Sequence, residues 1–263
     1  TGKITSAPAA HLSVLCNQMV NFLGIMQNEW AGAQAFSSFD TYLAPFVKVD
    51  HLGYDEVKKC IEAFVYGVNT PSRWGTQAPF SNITLDWTVP DDLAELPAIV
   101  GGREMNFKYK DCKPEMDMVN KAFIETMIEG DANGRGFQYP IPTYSITKDF
   151  DWSDTENNRL LFEMTSKYGT PYFSNYINSD MQPGDVRSMC CRLRLDLREL
   201  RKKTGGFFGS GESTGSVGVV TINLPRIAYL SADENDFFAR LNHMMDIAAR
   251  SLKIKRDVIS RLL

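Results

Sequence analysis

Two adjacent cysteines, Cys190 and Cys191, are the residues of this chain that most clearly suggest a reaction. Thiolate chemistry requires a basic partner, and no histidine lies near them in the sequence, although Arg187, Arg192 and Arg194 do. Chemistry at sulfur without a base suggests that a thiol loses a hydrogen atom instead of a proton. The alternatives are two buried thiols that pack as small apolar side chains, and a strained disulfide between neighbours.

Several polar segments border the predicted strands and could contact a ligand. The run GSGESTGSVG lacks the lysine of a phosphate-binding P-loop, so its glycines either approach a phosphate or form a surface loop. Asn82 in FSNIT and Asn223 in TINLP lie in or beside apolar strand segments, where a buried amide is ordinarily hydrogen-bonded to a neighbouring loop. The segment DANGRG begins like a calcium loop, but its twelfth position is Pro142, so we interpret it as a turn.

The overall composition excludes several classes of protein. With 263 residues and a net charge of −4, the chain can bury a sizeable core and has no bulk charge for nucleic acid. It has no apolar run of about 18 residues and no signal-peptide profile, so we expect no membrane span. Its five irregularly spaced cysteines fit a reducing cytoplasm, and without a CxxC pair or clustered histidines we expect no metal site.

The hydrophobic periodicity predicts helices and strands that alternate along the chain. The predicted helices cover residues 11–34, 54–68, 114–129, 156–168 and 195–203 and the chain from residue 233 onward, and the predicted strands cover residues 81–89, 140–147, 172–177 and 217–224. The last strand is predicted to be buried on both faces, residues 90–105 are predicted to be a loop with one helical turn, and Asp154 or Thr155 is expected to cap a helix. This order favours an α/β layered or barrel fold in one domain, residues 1–263.

Five segments of the chain carry a family resemblance. They are VNFLGIMQNEWAGAQAFSSFDTYLAPF (20–46), YGVNTPSRWGTQAPFSN (66–82), GRGFQYPIPTYSIT (134–147), SMCCRLRLDLREL (188–200) and STGSVGVVTINLPRIAY (213–229). In this order they resemble the anaerobic (class III) ribonucleotide reductases, which are glycyl radical enzymes. The resemblance implies a ten-stranded α/β barrel of two antiparallel halves, of which this chain is a central portion. It begins at Thr1 without an initiator methionine and stops within a helical pattern, so we expect a longer parent protein.

The resemblance also implies the site residues. A finger loop threads the barrel of the family and carries the radical cysteine at its tip, and the matching residue of SMCCRL is Cys191, with Cys190 as the alternative. Met189 would line the pocket beside it, and Asn223 is assigned to the same catalytic group. The implied substrate-binding residues are Ser81, Asn82, Thr214, Gly215 and Ser216. Gln18 and Lys48 lie where the family builds its effector site and dimer interface.

The mechanism implied by the resemblance is the radical reduction of ribonucleotides to deoxyribonucleotides. An iron–sulfur, S-adenosylmethionine-dependent activase makes a glycyl radical, which takes the thiol hydrogen atom of Cys191. The thiyl radical removes the ribose 3′ hydrogen, the 2′ hydroxyl leaves as water, and formate or a redoxin restores the sugar. ATP or dNTP effectors and a cytoplasmic homodimer are also implied. The ATP-cone, an upstream cysteine, the glycyl radical loop and a four-cysteine zinc site are absent from these residues, so we expect the isolated piece to be inactive.

Two other functions remain open at this stage. A glycyl radical enzyme of the pyruvate formate-lyase type also has adjacent cysteines in a finger loop, although GVVTINLPR and AGAQAFSSFDT favour the reductase. The second alternative is a non-catalytic nucleotide-binding paralogue, against which the presence of Cys191 argues.

Overall fold

The computed structural model describes residues 5–29, 33–70, 78–177 and 218–262, and the backbone of residues 186–188 and 194–196. The chain divides into two compact units, Thr1–Phe207 and Phe208–Leu263. Within the described ranges, no helix is both long and apolar enough to span a membrane. The assignment of residues 1–263 to one catalytic domain stays a prediction.

The first unit alternates helices with strands. Its described helices are α1 (Leu12–Glu29), α2 (Phe39–Val49), α3 (Tyr54–Asn69), α4 (Asp91–Ala94), α5 (Lys113–Glu129) and α6 (Glu156–Tyr168). Its described strands are β1 (Gln34–Phe36), β2 (Ser81–Leu85), β3 (Pro97–Val100), β4 (Arg103–Lys108), β5 (Ile141–Ile146), β6 (Tyr172–Asn175), β7 (Val186–Ser188) and β8 (Arg194–Asp196). The second unit contains α7 (Leu224–Leu230) and α8 (Glu234–Leu262).

The centre of the first unit is a parallel sheet. Four strands pair in the order β1–β2–β5–β6, and each connection between neighbours carries at least one helix. Strands β3 and β4 form one antiparallel pair, and β7 and β8 form another. The predicted mixed α/β fold is confirmed at this level. The described strands alone do not close into a barrel.

The core lies between the sheet and the helices. The apolar residues of α3 recur at three and four and are fully buried, namely Val57, Ile61, Phe64, Val65 and Val68. They pack in one cluster with Ile83 and Leu85 of β2 and Phe123 of α5. All five residues of β2 are buried, as expected for a central parallel strand. Each large apolar side chain buried here stabilises the fold by about 1.5–3 kcal/mol.

The structure corrects two predictions in the first unit. The first helix ends at Glu29, and Gln34, predicted to be helical, starts β1, which pairs with β2. Residues 90–105, predicted to be a loop with one turn, contain α4 and most of a hairpin. Its turn is Gly101–Gly102, with φ of 63° and 73°, a conformation that suits two glycines between antiparallel strands. Helix α2, which was not predicted, contains Pro45.

Two further predictions were wrong. Residues 194–196 form β8, so the helix predicted to start at residue 195 does not start there, and its remainder lies outside the described residues. Residues 218–223 form no strand, and the side chain of Val219 is 83% exposed. A strand exists only where another strand pairs with it, and a run such as VGVV cannot show whether one does. The long terminal helix is confirmed as α8.

Candidate ligand site on the parallel sheet

The two faces of the parallel sheet differ in chemistry. Strand register places Thr84 beside Thr143 and Ser145 beside Ser174, and side chains alternate between faces along each strand. One face, called here the polar face, therefore carries Asn82, Thr84, Thr143, Ser145 and Ser174. All of them are at most 9% exposed. The opposite face carries Ile83, Leu85, Tyr144 and Ile146, which belong to the main apolar cluster.

Asn82 is the exceptional residue of the polar face. It is 1% exposed, and neither its Oδ1 nor its Nδ2 has a hydrogen-bond partner in the part of the chain that the structure describes. Its neighbour Thr84 is bonded, because its Oγ1 accepts from the backbone N–H of Ser38 at 3.1 Å. A buried polar group without a partner costs about 1–3 kcal/mol. The fold of the described residues therefore does not explain an amide at position 82. Binding of a ligand to this amide would explain it.

Ser81 lies on the other side of the sheet from Asn82. Its side chain is also buried, and its Oγ has no partner among the described residues. Because consecutive strand residues point to opposite faces, Ser81 belongs to the face of Ile83 and Leu85. The structure thus places these two predicted substrate-binding residues on one strand but does not bring their side chains together.

A buried carboxylate binds the backbone that directly follows β2. Asp40 accepts hydrogen bonds from the backbone N–H groups of Asp86 at 2.8 Å, Trp87 at 2.9 Å and Thr41 at 3.1 Å, and from Nδ2 of Asn120 at 2.9 Å. Burial raises the pKa of Asp40, and these hydrogen bonds oppose the rise. The contact to Trp87 also holds that residue in a left-handed conformation, with φ of 64°.

The hydrogen bonds continue from Asp40 into the sheet. Asn120 of α5 accepts from the hydroxyl of Tyr144 at 3.0 Å, and Thr41 Oγ1 donates to Asp86 Oδ2 at 2.7 Å. Burial raises the pKa of Tyr144, so its hydroxyl stays a neutral donor. Helices α2 and α5 are thereby joined to β2 and β5. The sequence analysis missed this network, and its only signal was an acidic residue at the start of the apolar segment FDTYLAPF.

A cavity of about 250 Å³ lies beside Trp87. Its lining residues are Trp87, Thr88, Lys113, Asp117, Asp151, Thr155, Glu156 and Asn157. Its lysine pairs with Asp117, so carboxylates dominate its charge and make it a poor site for phosphate groups. Across the described ranges, no three His, Cys, Asp or Glu side chains are grouped as metal ligands.

Three other predicted site residues make hydrogen bonds within their own unit. Gln18 Nε2 donates to Ser6 Oγ at 3.1 Å and to the carbonyl of Ala7 at 3.0 Å. Lys48 Nζ donates to the carbonyl of Asp111 at 2.9 Å and to Glu115 Oε1 at 3.2 Å. Asn223 caps α7 in the second unit, where its Oδ1 accepts from the backbone N–H of Arg226 at 2.9 Å. These contacts are structural, and the predicted roles stay predictions.

The remaining predicted site residues lie outside the described residues. They are Met189, Cys190, Cys191, Thr214, Gly215 and Ser216. Their assignment to the catalytic and substrate-binding groups therefore stays a prediction. The part of the site that the structure does describe is the polar face with Asn82.

Comparison with known proteins finds a curated relative and solved structures of similar fold. A curated anaerobic ribonucleoside-triphosphate reductase of Haemophilus influenzae is 25% identical over 248 residues, which cover 84% of this chain and 31% of that protein. A crystal structure of the anaerobic ribonucleotide reductase from Thermotoga maritima with dATP bound in the specificity site is similar with a TM-score of 0.69 and 21% identity. The same enzyme in complex with dATP and CTP gives a TM-score of 0.67 and 21% identity.

This chain is shorter than the proteins it matches. Each of those two structures is matched over 98% of this chain and 42% of the other chain, so this chain spans less than half of its relatives. At that identity the likeness shows the fold alone, which agrees with the mixed α/β architecture. The family model described as anaerobic ribonucleoside-triphosphate reductase matches residues 1–263. By that match over its full length, the chain belongs to the anaerobic ribonucleoside-triphosphate reductase family.

Proposed function

We propose that this chain forms part of an enzyme that reduces ribonucleotides to 2′-deoxyribonucleotides without oxygen, for DNA precursor synthesis. Family membership over residues 1–263 carries the proposal. The buried, uncharged polar face supports it, because the Asn82 amide has no partner among the described residues and such a surface suits a sugar. The chain spans 31% of its curated relative, so the activity is proposed for the whole protein.

In the proposed reaction, Cys191 does the chemistry at the substrate. A glycyl radical, generated outside these residues by a radical S-adenosylmethionine activase, supplies the oxidising equivalent. Cys191 loses its thiol hydrogen atom and then takes the 3′ hydrogen of the ribose. The 2′ hydroxyl leaves as water, and two electrons from formate or a redoxin complete the reduction before the 3′ hydrogen returns to the sugar. Cys190 is the alternative radical residue, and Met189 and Asn223 are the other proposed catalytic residues.

The protein is proposed to enclose this chemistry in a ten-stranded barrel. Exclusion of water protects a thiyl radical and fixes the ribose against it. Ser81, Asn82, Thr214, Gly215 and Ser216 are the proposed substrate-binding residues. Both Thermotoga maritima structures hold dATP, one of them in its specificity site, and by analogy we propose ATP or dNTP effectors here, near Gln18 and Lys48. We also propose that the whole protein is a cytoplasmic homodimer and that it binds zinc in a further C-terminal region.

The proposed function is tested on the full-length protein under anaerobic conditions. With its activase and S-adenosylmethionine, the protein should show a glycyl radical doublet by electron paramagnetic resonance and convert ribonucleotide to deoxyribonucleotide in the presence of a reductant. The Cys191→Ser variant should keep the doublet and form no product. A doublet with acyl exchange and no deoxynucleotide would indicate a lyase instead, and nucleotide binding without a doublet would indicate a non-catalytic paralogue.

A further inference from the structure

We propose that Asn82 binds the uncharged nucleoside part of the substrate, through its ribose hydroxyls or its base edge, and not the phosphates. This inference rests on the proposed function and deepens it. Asn82 is 1% exposed and lies on the polar face, and both polar atoms of its side chain lack a partner among the described residues. The ligand group that completes this site must therefore satisfy both atoms.

The two polar atoms of the Asn82 side chain need different hydrogen-bonding groups from a ligand. Oδ1 of Asn82 requires a donor, and Nδ2 requires an acceptor. Ionised phosphate oxygens and formate only accept, so either group would leave Oδ1 unsatisfied in a buried position. A vicinal diol presents a donor and an acceptor side by side, as does the edge of a base. Asparagine pairs with the edge of adenine in this bidentate manner.

The surroundings of Asn82 favour an uncharged partner as well. The described residues that share its face are Thr84, Thr143, Ser145 and Ser174, together with Ala35, Ile141 and Tyr172, and none of them has a cationic side chain. A phosphate removed from water needs a cation or several converging N–H groups, and these side chains offer only hydroxyls. On β1 the residue beside Asn82 is Ala35, which is exposed and has only a methyl side chain. The strand neighbours of Asn82, which are Ala35 on β1 and Ile141 on β5, have apolar side chains and cannot bond its amide.

The first test replaces Asn82 by leucine in the full-length protein. Asn82→Leu removes from the interior an amide that has no partner among the described residues, so the melting temperature without nucleotide should rise. The same variant should bind CTP roughly ten- to a hundred-fold more weakly by calorimetry, because two hydrogen bonds are lost. Its affinity for inorganic tripolyphosphate should not change. The matched control is Thr126→Val, which removes a buried hydroxyl that donates to the carbonyl of Ala122 at 2.7 Å. This control should lose stability and keep its affinity for CTP.

The second test uses the pH dependence of Asn82→Asp. A neutral carboxylic acid both donates and accepts, whereas a carboxylate only accepts. The aspartate variant should therefore bind CTP more tightly as the pH falls through the pKa of the new side chain, and Asn82→Leu should not show this recovery. A comparison of CTP with ribose 5-triphosphate identifies the group that is bound. Equal losses in the leucine variant indicate the ribose, and a loss for CTP alone indicates the base, because only CTP carries a base.

Two results would overturn the inference. One is an Asn82→Leu protein that binds CTP as tightly as the unaltered protein does. The other is a loss of affinity for tripolyphosphate equal to the loss for CTP, which would place the phosphates at Asn82. Failure of the unaltered protein to bind any ribonucleotide would contradict the proposed function itself, and the inference with it.

Discussion

At the scale of single residues, two buried polar side chains of the first unit, Asp40 and Asn82, differ in their hydrogen bonding. Asp40 is completely buried, but backbone N–H groups and the amide of Asn120 surround its carboxylate. Asn82 is almost equally buried, and its amide has no partner in the described part of the chain. Burial alone therefore does not separate a structural residue from a candidate ligand-binding residue, whereas hydrogen bonding does.

The role of Asp40 leads to a stability prediction. In Asp40→Asn, one oxygen becomes an NH₂ group that faces two donors, so we expect the free energy of unfolding to fall by about 2–4 kcal/mol. Urea denaturation of this chain measures the change. The matched control is Asp149→Asn, at an exposed position in the turn after β5, which should change stability by less than about 0.5 kcal/mol. Equal effects of the two substitutions would show that the hydrogen bonds of Asp40 contribute nothing specific.

At the scale of elements, the close packing of α1 against α3 depends on one glycine. A Cβ atom added at Gly67 would lie 2.8 Å from Cγ2 of Val20, which is closer than such atoms normally approach. Glycine inside a helix costs about 1 kcal/mol relative to alanine. Glycine is favourable at position 67 despite this cost, because α1 and α3 approach each other closely there.

Because of this contact, we expect Gly67→Ala to change stability in the direction opposite to the one that helix propensity predicts. Gly67→Ala should lower the free energy of unfolding by about 1–2 kcal/mol, because the overlap with Val20 outweighs the gain in propensity. The double variant Gly67→Ala with Val20→Ala removes the overlapping methyl groups, and it should recover part of the loss in a double-mutant cycle by chemical denaturation. A stabilised single variant would show that the two helices pack less closely.

At the scale of the whole molecule, the apolar core is distributed unevenly between the two units. Every residue of the buried clusters found among the described residues lies in the first unit. In the described part of the second unit, α8 buries none of its residues and α7 buries only Ile227. Helical hydrogen bonds alone give marginal stability without packing, so each unit should behave differently when it is isolated.

This difference is testable with two fragments. A fragment of residues 1–207 should unfold in one cooperative transition on heating, because it retains the core clusters. A fragment of residues 208–263 should lose its helical signal gradually, without a sharp midpoint. Circular dichroism in the far and near ultraviolet measures both. A cooperative transition in the shorter fragment, or a gradual one in the longer fragment, would contradict the assignment of the core to the first unit.

The sequence by itself determined the family and most of the long helices. The quoted segments resemble anaerobic ribonucleotide reductases, and the family match over residues 1–263 confirms that resemblance. Helices α3, α5 and α6 lie close to their predicted bounds, and Thr155 caps α6 by accepting from the N–H of Asn158. Such features follow from sequence because helical hydrogen bonds join residues four apart and the cap acts within the same turn.

Only the tertiary structure decided how the strands pair and which polar groups are satisfied. Strand β1 is three residues long and exists through pairing with β2, whereas residues 218–223 have a strand pattern and form no strand. The hydrogen bond from Asn120 to Asp40 joins residues 80 positions apart. These contacts form between residues distant in sequence, and a local pattern carries no information about which partners will meet.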